Sequence, residues 1–185
     1  MYSNIPIRSR YRDVEPDGLG KPGRMKMKTK VIVKKWFSEE SKLRGDAPFE
    51  VKVNESNVGL NEGIALAWDL MIAAGGTAWD NGNAWLGVGC NTDAAAAAQS
   101  ALQAATDATA SWYLAMDATA YPGRTDQTVS WRSTYGATSA NFAWTEFTVA
   151  NASSNTGVNL VRKVSMEGTK TSGQSWELTL AVTMS

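Results

Sequence analysis

The sequence contains no histidine and only one cysteine, Cys90. Without imidazole there is no Ser-His-Asp triad, no Cys-His dyad and no His-ligated zinc. One thiol excludes a disulfide framework or a thiolate cluster within the chain. Long apolar runs are also missing: no stretch of 18 or more apolar residues occurs, so no membrane-spanning helix is expected. The first residues lack the apolar run of a signal peptide. Nor is there a surplus of either charge, because 18 basic residues balance 18 acidic ones. A net charge of zero gives no global attraction to nucleic acid or to a membrane. The expectation is therefore a chain that is not an enzyme and has no cofactor, metal, nucleic-acid or membrane partner. What is present is 185 residues with eight tryptophans, enough for one domain with a real core.

The charge balance hides an asymmetry. Twelve of the basic residues but only five of the acidic ones precede residue 45, which leaves +7 there and −7 in the remainder. Such a split suggests a basic region that lies on an acidic partner. The plainer alternative is a solvated tail followed by an ordinary basic edge strand. Residues 1–24 are broken by Pro6, Pro16, Gly18, Gly20, Pro22 and Gly23 and hold few large apolar groups. They read as an extended arm ahead of a body that starts near residue 25. Arg8, Arg10, Arg12, Arg24, Lys26, Lys28 and Lys30 are the candidate partner-binding residues.

The body reads mainly as β-structure. Residues 25–34 alternate, with Met25, Met27, Thr29, Val31 and Val33 opposing a wet face of Lys26, Lys28, Lys30, Ile32 and Lys34. A polar loop is expected over 38–47. A second strand, 48–54, alternates through Phe49, Val51 and Val53. The period then changes: Leu60, Ile64, Trp68 and Met71 fall at helical spacing, with Asn57 near the cap and Gly75-Gly76 at the end. Residues 83–89 form a short buried strand. The alanine-rich 92–110 favours helix by propensity, with a loosely packed connection as the alternative. Further strands are expected at 111–117, 128–135, 142–150, 159–166 and 175–184, separated by Ser, Asn, Gly and Thr-rich breaks. In 142–150, Phe142, Trp144 and Glu146 oppose Phe147 and Val149. This spacing predicts an antiparallel β-sandwich or jelly-roll-like body with one or two short helices.

Few residues carry the pattern of a chemical site. Gly87-Val88-Gly89 lacks the third glycine of a dinucleotide loop, since residue 92 is Thr92, and reads as a tight strand exit. Asp80-Asn81-Gly82-Asn83 and Asn91-Thr92-Asp93 do not match calcium-loop spacing and read as Asx-turns. Cys90, with no activating histidine, reads as a buried structural thiol. Glu146 stands inside an aromatic strand, where a buried carboxylate needs a cation. Arg132 and Arg162 are its candidates for a structural ion pair. Most of the tryptophans should be core. The basic residues of 24–35 beside Trp36 and Phe37 are not interleaved with further aromatics, which argues against nucleic acid.

Five stretches, NAWLGVG at 83–89, YPG at 121–123, ANFAWTEF at 140–147, LVRKV at 160–164 and EGTKTSGQSWEL at 167–178, together resemble a family of tailed-bacteriophage virion proteins. The resemblance implies a β-rich structural subunit of a phage head or tail, and the alanine-rich 94–110 and the N-terminal arm fall outside it. The leading expectation is a capsid decoration (cement) protein on the head surface, contacting the major capsid protein and neighbouring copies of itself, as a homo-oligomer such as a trimer. A tail-fibre, baseplate or adaptor subunit is the second expectation. A jelly-roll carbohydrate-active enzyme with paired carboxylates is the third.

Overall fold

The computed structural model describes residues 26–55 and 58–185. The arm, with Arg8, Arg10, Arg12 and Arg24, and the Asn57 cap position lie outside the described residues. Ten strands and two helices are present among the described residues. In chain order they are β1 (Met27–Trp36), α1 (Glu39–Leu43), β2 (Glu50–Glu55), β3 (Val58–Gly59), α2 (Asn61–Met71) and β4 (Trp85–Gly89). Next come β5 (Ser111–Ala115), β6 (Gly123–Thr125), β7 (Thr128–Tyr135), β8 (Ala143–Ala150), β9 (Asn159–Thr169) and β10 (Ser175–Met184). They form the expected sandwich of two antiparallel five-stranded sheets. Sheet A runs β2-β1-β10-β7-β6 and sheet B runs β3-β9-β8-β4-β5.

Alternation builds the core. Val31 and Val33 of β1, Leu178, Leu180 and Val182 of β10, and Trp131 and Tyr135 of β7 point inward from sheet A. Leu86 and Val88 of β4, Trp144, Phe147 and Val149 of β8, and Leu160 and Val161 of β9 come from sheet B. Trp144 sits at the centre, edge-on to Tyr135 (4.7 Å), Trp176 (4.9 Å) and Phe147 (6.3 Å). Polar tips of the aromatics find carbonyls: Tyr135 Oη donates to Leu86 O, Trp131 Nε1 to Trp79 O and Trp144 Nε1 to Ala140 O.

Several sequence expectations need correction, each for a physical reason. Trp144 was expected on the face of Glu146. A register shift between Trp144 and Glu146 in the β8–β9 pairing breaks the alternation there. Trp144 and Phe147 therefore both enter the core, while Glu146 faces the other way. The basic strand β1 is not an edge strand; it lies between β2 and β10. The loop expected over 38–47 contains α1, closed by a capping box in which Ser38 and Ser41 bond each other's backbone N–H.

In α2 the stripe Ile64, Trp68, Met71 does not face the core. The helix packs through Gly63 and Leu66 instead. A Cβ at Gly63 would meet Asn159 O and Leu160 Cα at 2.5 Å, so the absence of a side chain sets the close approach to β9. Glu62 fixes the same contact by accepting the Asn159 backbone N–H at 2.7 Å. The helix ends earlier than the glycine pair, with Ala73 in the left-handed region (φ 57°).

The alanine-rich segment is not helical. Residues 90–110 lie as irregular chain with turns, a connection rather than a helix, but not the loosely packed one expected, since Leu102 and Ala104 are buried. Its backbone groups are committed to sheet B: Glu146 accepts the N–H groups of Gln103 and Ala104, and Asn159 Nδ2 donates to Ser100 O. A helix would have turned those groups back on itself. Here tertiary partners override alanine propensity.

Candidate interaction surface

Two clusters of charge and two exposed apolar surfaces are the places where function is to be sought. The first cluster is buried on the outer side of sheet B. Arg162 donates to Glu146 Oε2 from Nη2 (2.6 Å) and Nε (2.7 Å), and both side chains are wholly buried. Arg162 also reaches Asp93 O, Gln99 Oε1 and Asn91 Oδ1. With the two N–H donors from Gln103 and Ala104, every charged oxygen of Glu146 is occupied. The structure thus brings Glu146 and Arg162 together but not Arg132, which lies on sheet A and bonds Asp117 Oδ2 at 2.8 Å. Gly89 ends β4, as the strand-exit reading expected, and both glycines also lie under this cover. A Cβ at Gly87 would press on Tyr113 and Thr148, and one at Gly89 would collide with the Glu146 carboxylate. Both side chains are wholly buried and their bonds run to residues 91–104, so the pair clamps that segment onto the sheet.

The second cluster lies on sheet A. Glu177 of β10 receives Lys42 (3.1 Å), Lys34 (3.3 Å) and, more distantly, Arg132 (3.9 Å). Burial alone would raise its pKa, but the charge and hydrogen bond of Lys42, then Lys34 and Arg132, outweigh it and hold it below the ordinary carboxylate value. Lys35 is buried between Glu50, the Glu167 carbonyl and the face of Trp176. Lys30 pairs with Glu55 at 3.7 Å and Arg44 with Asp46. Five of the seven described bases in 26–44 are thus ion-paired with acids that come after residue 44. Much of the sequence's charge asymmetry is folded onto itself. Lys26 and Lys28 stay exposed, Lys26 at the point where its backbone exchanges hydrogen bonds with Ser185.

Apolar surface stands outward in two places. Phe49 and β2 alternate as expected, but the apolar side faces solvent. Phe49 is 41% exposed, Val51 49% and Val53 50%, while Glu50, Lys52 and Asn54 turn inward. Period two identifies a strand without saying which side is buried. Here the inner side is taken by Glu167, whose carboxylate accepts from Asn54 and whose carbonyl accepts from Lys52. Phe37 stacks on Phe49 with centroids 4.3 Å apart, and Ile32 of β1 lies opposite Val53. The second place is a groove of about 250 Å³ between α2 and the β1–β10 end, lined by Met27, Ile64, Ala67, Trp68, Met71 and Met184. Trp68 is 51% exposed there; the other seven tryptophans are buried or half-buried.

The remaining candidates are local structure. Asp80 Oδ1 accepts the backbone N–H groups of Gly82 and Asn83, and Asn91 Oδ1 accepts that of Asp93, so both stretches form Asx-turns. Cys90 is exposed, contrary to expectation, because β4 ends at Gly89 and the chain leaves the sheet there. Among the described residues no group of three His, Cys, Asp or Glu side chains is placed to hold a metal, and no helix is long and apolar enough to cross a membrane. The wet face of β1 stands as expected, whereas the outward turn of the apolar side of β2 was missed by sequence reasoning. The alternation that revealed the strand was its only signal. No family model matches the chain, and no curated protein or solved structure matches it either.

Proposed function

We propose that this chain is a structural assembly subunit, and that its place is the outer capsid surface of a tailed-phage particle, where it contacts the major capsid protein and copies of itself. The observation that carries the assembly role is the outward apolar face of Phe37, Phe49, Val51 and Val53 on a sheet edge. Contiguous apolar surface of this kind marks a place where another surface docks. The phage assignment is supported by the five sequence stretches alone. Four of them fall on β4, β8, β9 and the connection from β9 in sheet B to β10 in sheet A, which carry much of the core. Lattice subunits gain from many weak contacts, so neither a deep pocket nor a high net charge is needed.

The test is the location of the subunit in particles, seen by electron microscopy, together with the heat stability of heads stripped of it. A decoration role predicts density on the head and stripped heads that stay intact but open at lower temperature. Unchanged head stability with lost infectivity would move the subunit to the tail. Glycan turnover abolished by a single carboxylate substitution would replace the proposal with an enzyme.

A further inference from the structure

β2 is the outermost strand of sheet A, and its far side pairs with no strand among the described residues. An unprotected edge offers a row of backbone donors and acceptors to another strand. This one also carries apolar side chains on its outward face. We propose that β2 pairs antiparallel with β2 of a second copy, about a two-fold axis through Val51, joining the two A sheets into one. The inference rests on the assembly reading above and names the partner at that surface.

Charge and side-chain pattern select the register. A two-fold axis perpendicular to the sheet sets residues of the same face opposite each other, which leaves three registers within this short strand. With the axis at Val51, Glu50 of each copy faces Lys52 of the other, and Phe49 faces Val53. With the axis at Lys52, two ammonium groups oppose each other and Phe49 meets Glu55. With the axis at Val53, Val51 meets Glu55 and Glu50 has no partner in the strand. Only the first places opposite charges together and apolar groups together.

The charged groups retain capacity for it. Glu50 Oε2 is held by Lys35, while Oε1 has only a 3.8 Å contact with Lys52. The Lys52 ammonium donates to the carbonyls of Met166 and Glu167, which uses two of its three protons. The inward-pointing charges of β2 would protect the edge from most strands, yet in this register they are matched by its own sequence. Across the seam, the Phe37–Phe49 stack of each copy would join the other's Val53 in one apolar strip.

The experiment is sedimentation of the full chain over a rising concentration series. The wild type is expected to show a monomer–dimer equilibrium, and Val51→Lys, which sets two ammonium groups across the axis, to remain monomeric throughout. Val51 is half-exposed, so the variant keeps its near-ultraviolet dichroism. Register is read separately in a Cys90→Ser background: Val51→Cys should cross-link on oxidation and Val53→Cys should not, whereas Val53→Cys mixed with Phe49→Cys should. A wild type that is monomeric at every concentration overturns the proposal. So does a dimer that survives Val51→Lys, or one lost on deleting residues 1–24, which would make the N-terminal segment the occupant. Because these are measurements on the isolated chain, failure of the pairing with particle binding intact would leave the assembly reading standing.

Discussion

The outer faces of the two sheets are treated in opposite ways. Sheet B is closed over by its own chain: residues 91–104 lie on it, and their backbone groups answer Glu146, Arg162 and Asn159. Among the described residues sheet A has α1 over one end, where Lys42 sits above Trp36, and Asp117 and Tyr121 against Arg132, while the rest of its outer face carries ion pairs and exposed apolar groups. A face with every polar group satisfied inside the molecule holds the fold together. A face that leaves valines and phenylalanines in water is where we propose the contact. Stability then rests on sheet B and the proposed contact on sheet A, and each half can be broken.

The largest effect should come from the closed face. Arg162→Met strands the Glu146 carboxylate in a dry site, and the loss should be about 3–5 kcal/mol in denaturant titration. A change below about 1 kcal/mol would mean the clamp is not what holds 91–104. Gly89→Ala forces a methyl group into the same carboxylate and should cost about 1–3 kcal/mol, with no effect on association. The Glu177 cluster comes next. Its carboxyl is held below the usual range in the folded state, so its contribution is present above the unfolded value near 4.5 and is lost as pH falls through the folded value. Glu177→Gln should flatten that acid limb in thermal melts across the pH series. Lys170, pushed down to about 8 by burial, adds a second rise at alkaline pH: stability should increase as pH climbs from about 8 toward the free-lysine value of 10.5. Lys170→Met should remove that rise. The smallest stability effect belongs to the open face. Val53→Lys should shift folding by no more than about 0.5 kcal/mol, although it weakens self-association. A loss of several kcal/mol there would mean that this face is covered in the folded chain.

How much of this could be read from residues alone differs between the same two regions. The central strands of sheet A stand out because period two persists over eight or more residues in β1, β7 and β10. Which side of β2 is buried does not stand out, because alternation is symmetric and only the position of Glu167 beneath the strand decides it. The bulge in β8 is likewise silent: nothing in Trp144-Thr145-Glu146-Phe147 announces that one residue is out of step. In 92–110 the local signal pointed to helix, and the deciding partners, Glu146 and Arg162, lie 40 to 70 residues away in sequence. The Glu146–Arg162 pair was legible for a simple reason. A carboxylate in an aromatic strand demands a cation, and few arginines are available on neighbouring strands. Charge was misleading at the level of segments, since the bases of β1 meet acids from β2 and β10.

Hydrogen exchange followed segment by segment, at several protein concentrations, tests the contrast most directly. Residues 91–104 should be protected at every concentration despite having no regular structure, and the β2 amides should gain protection as concentration rises. Exchange of β2 that ignores concentration, or a 91–104 segment that exchanges as freely as an open loop, would contradict the account.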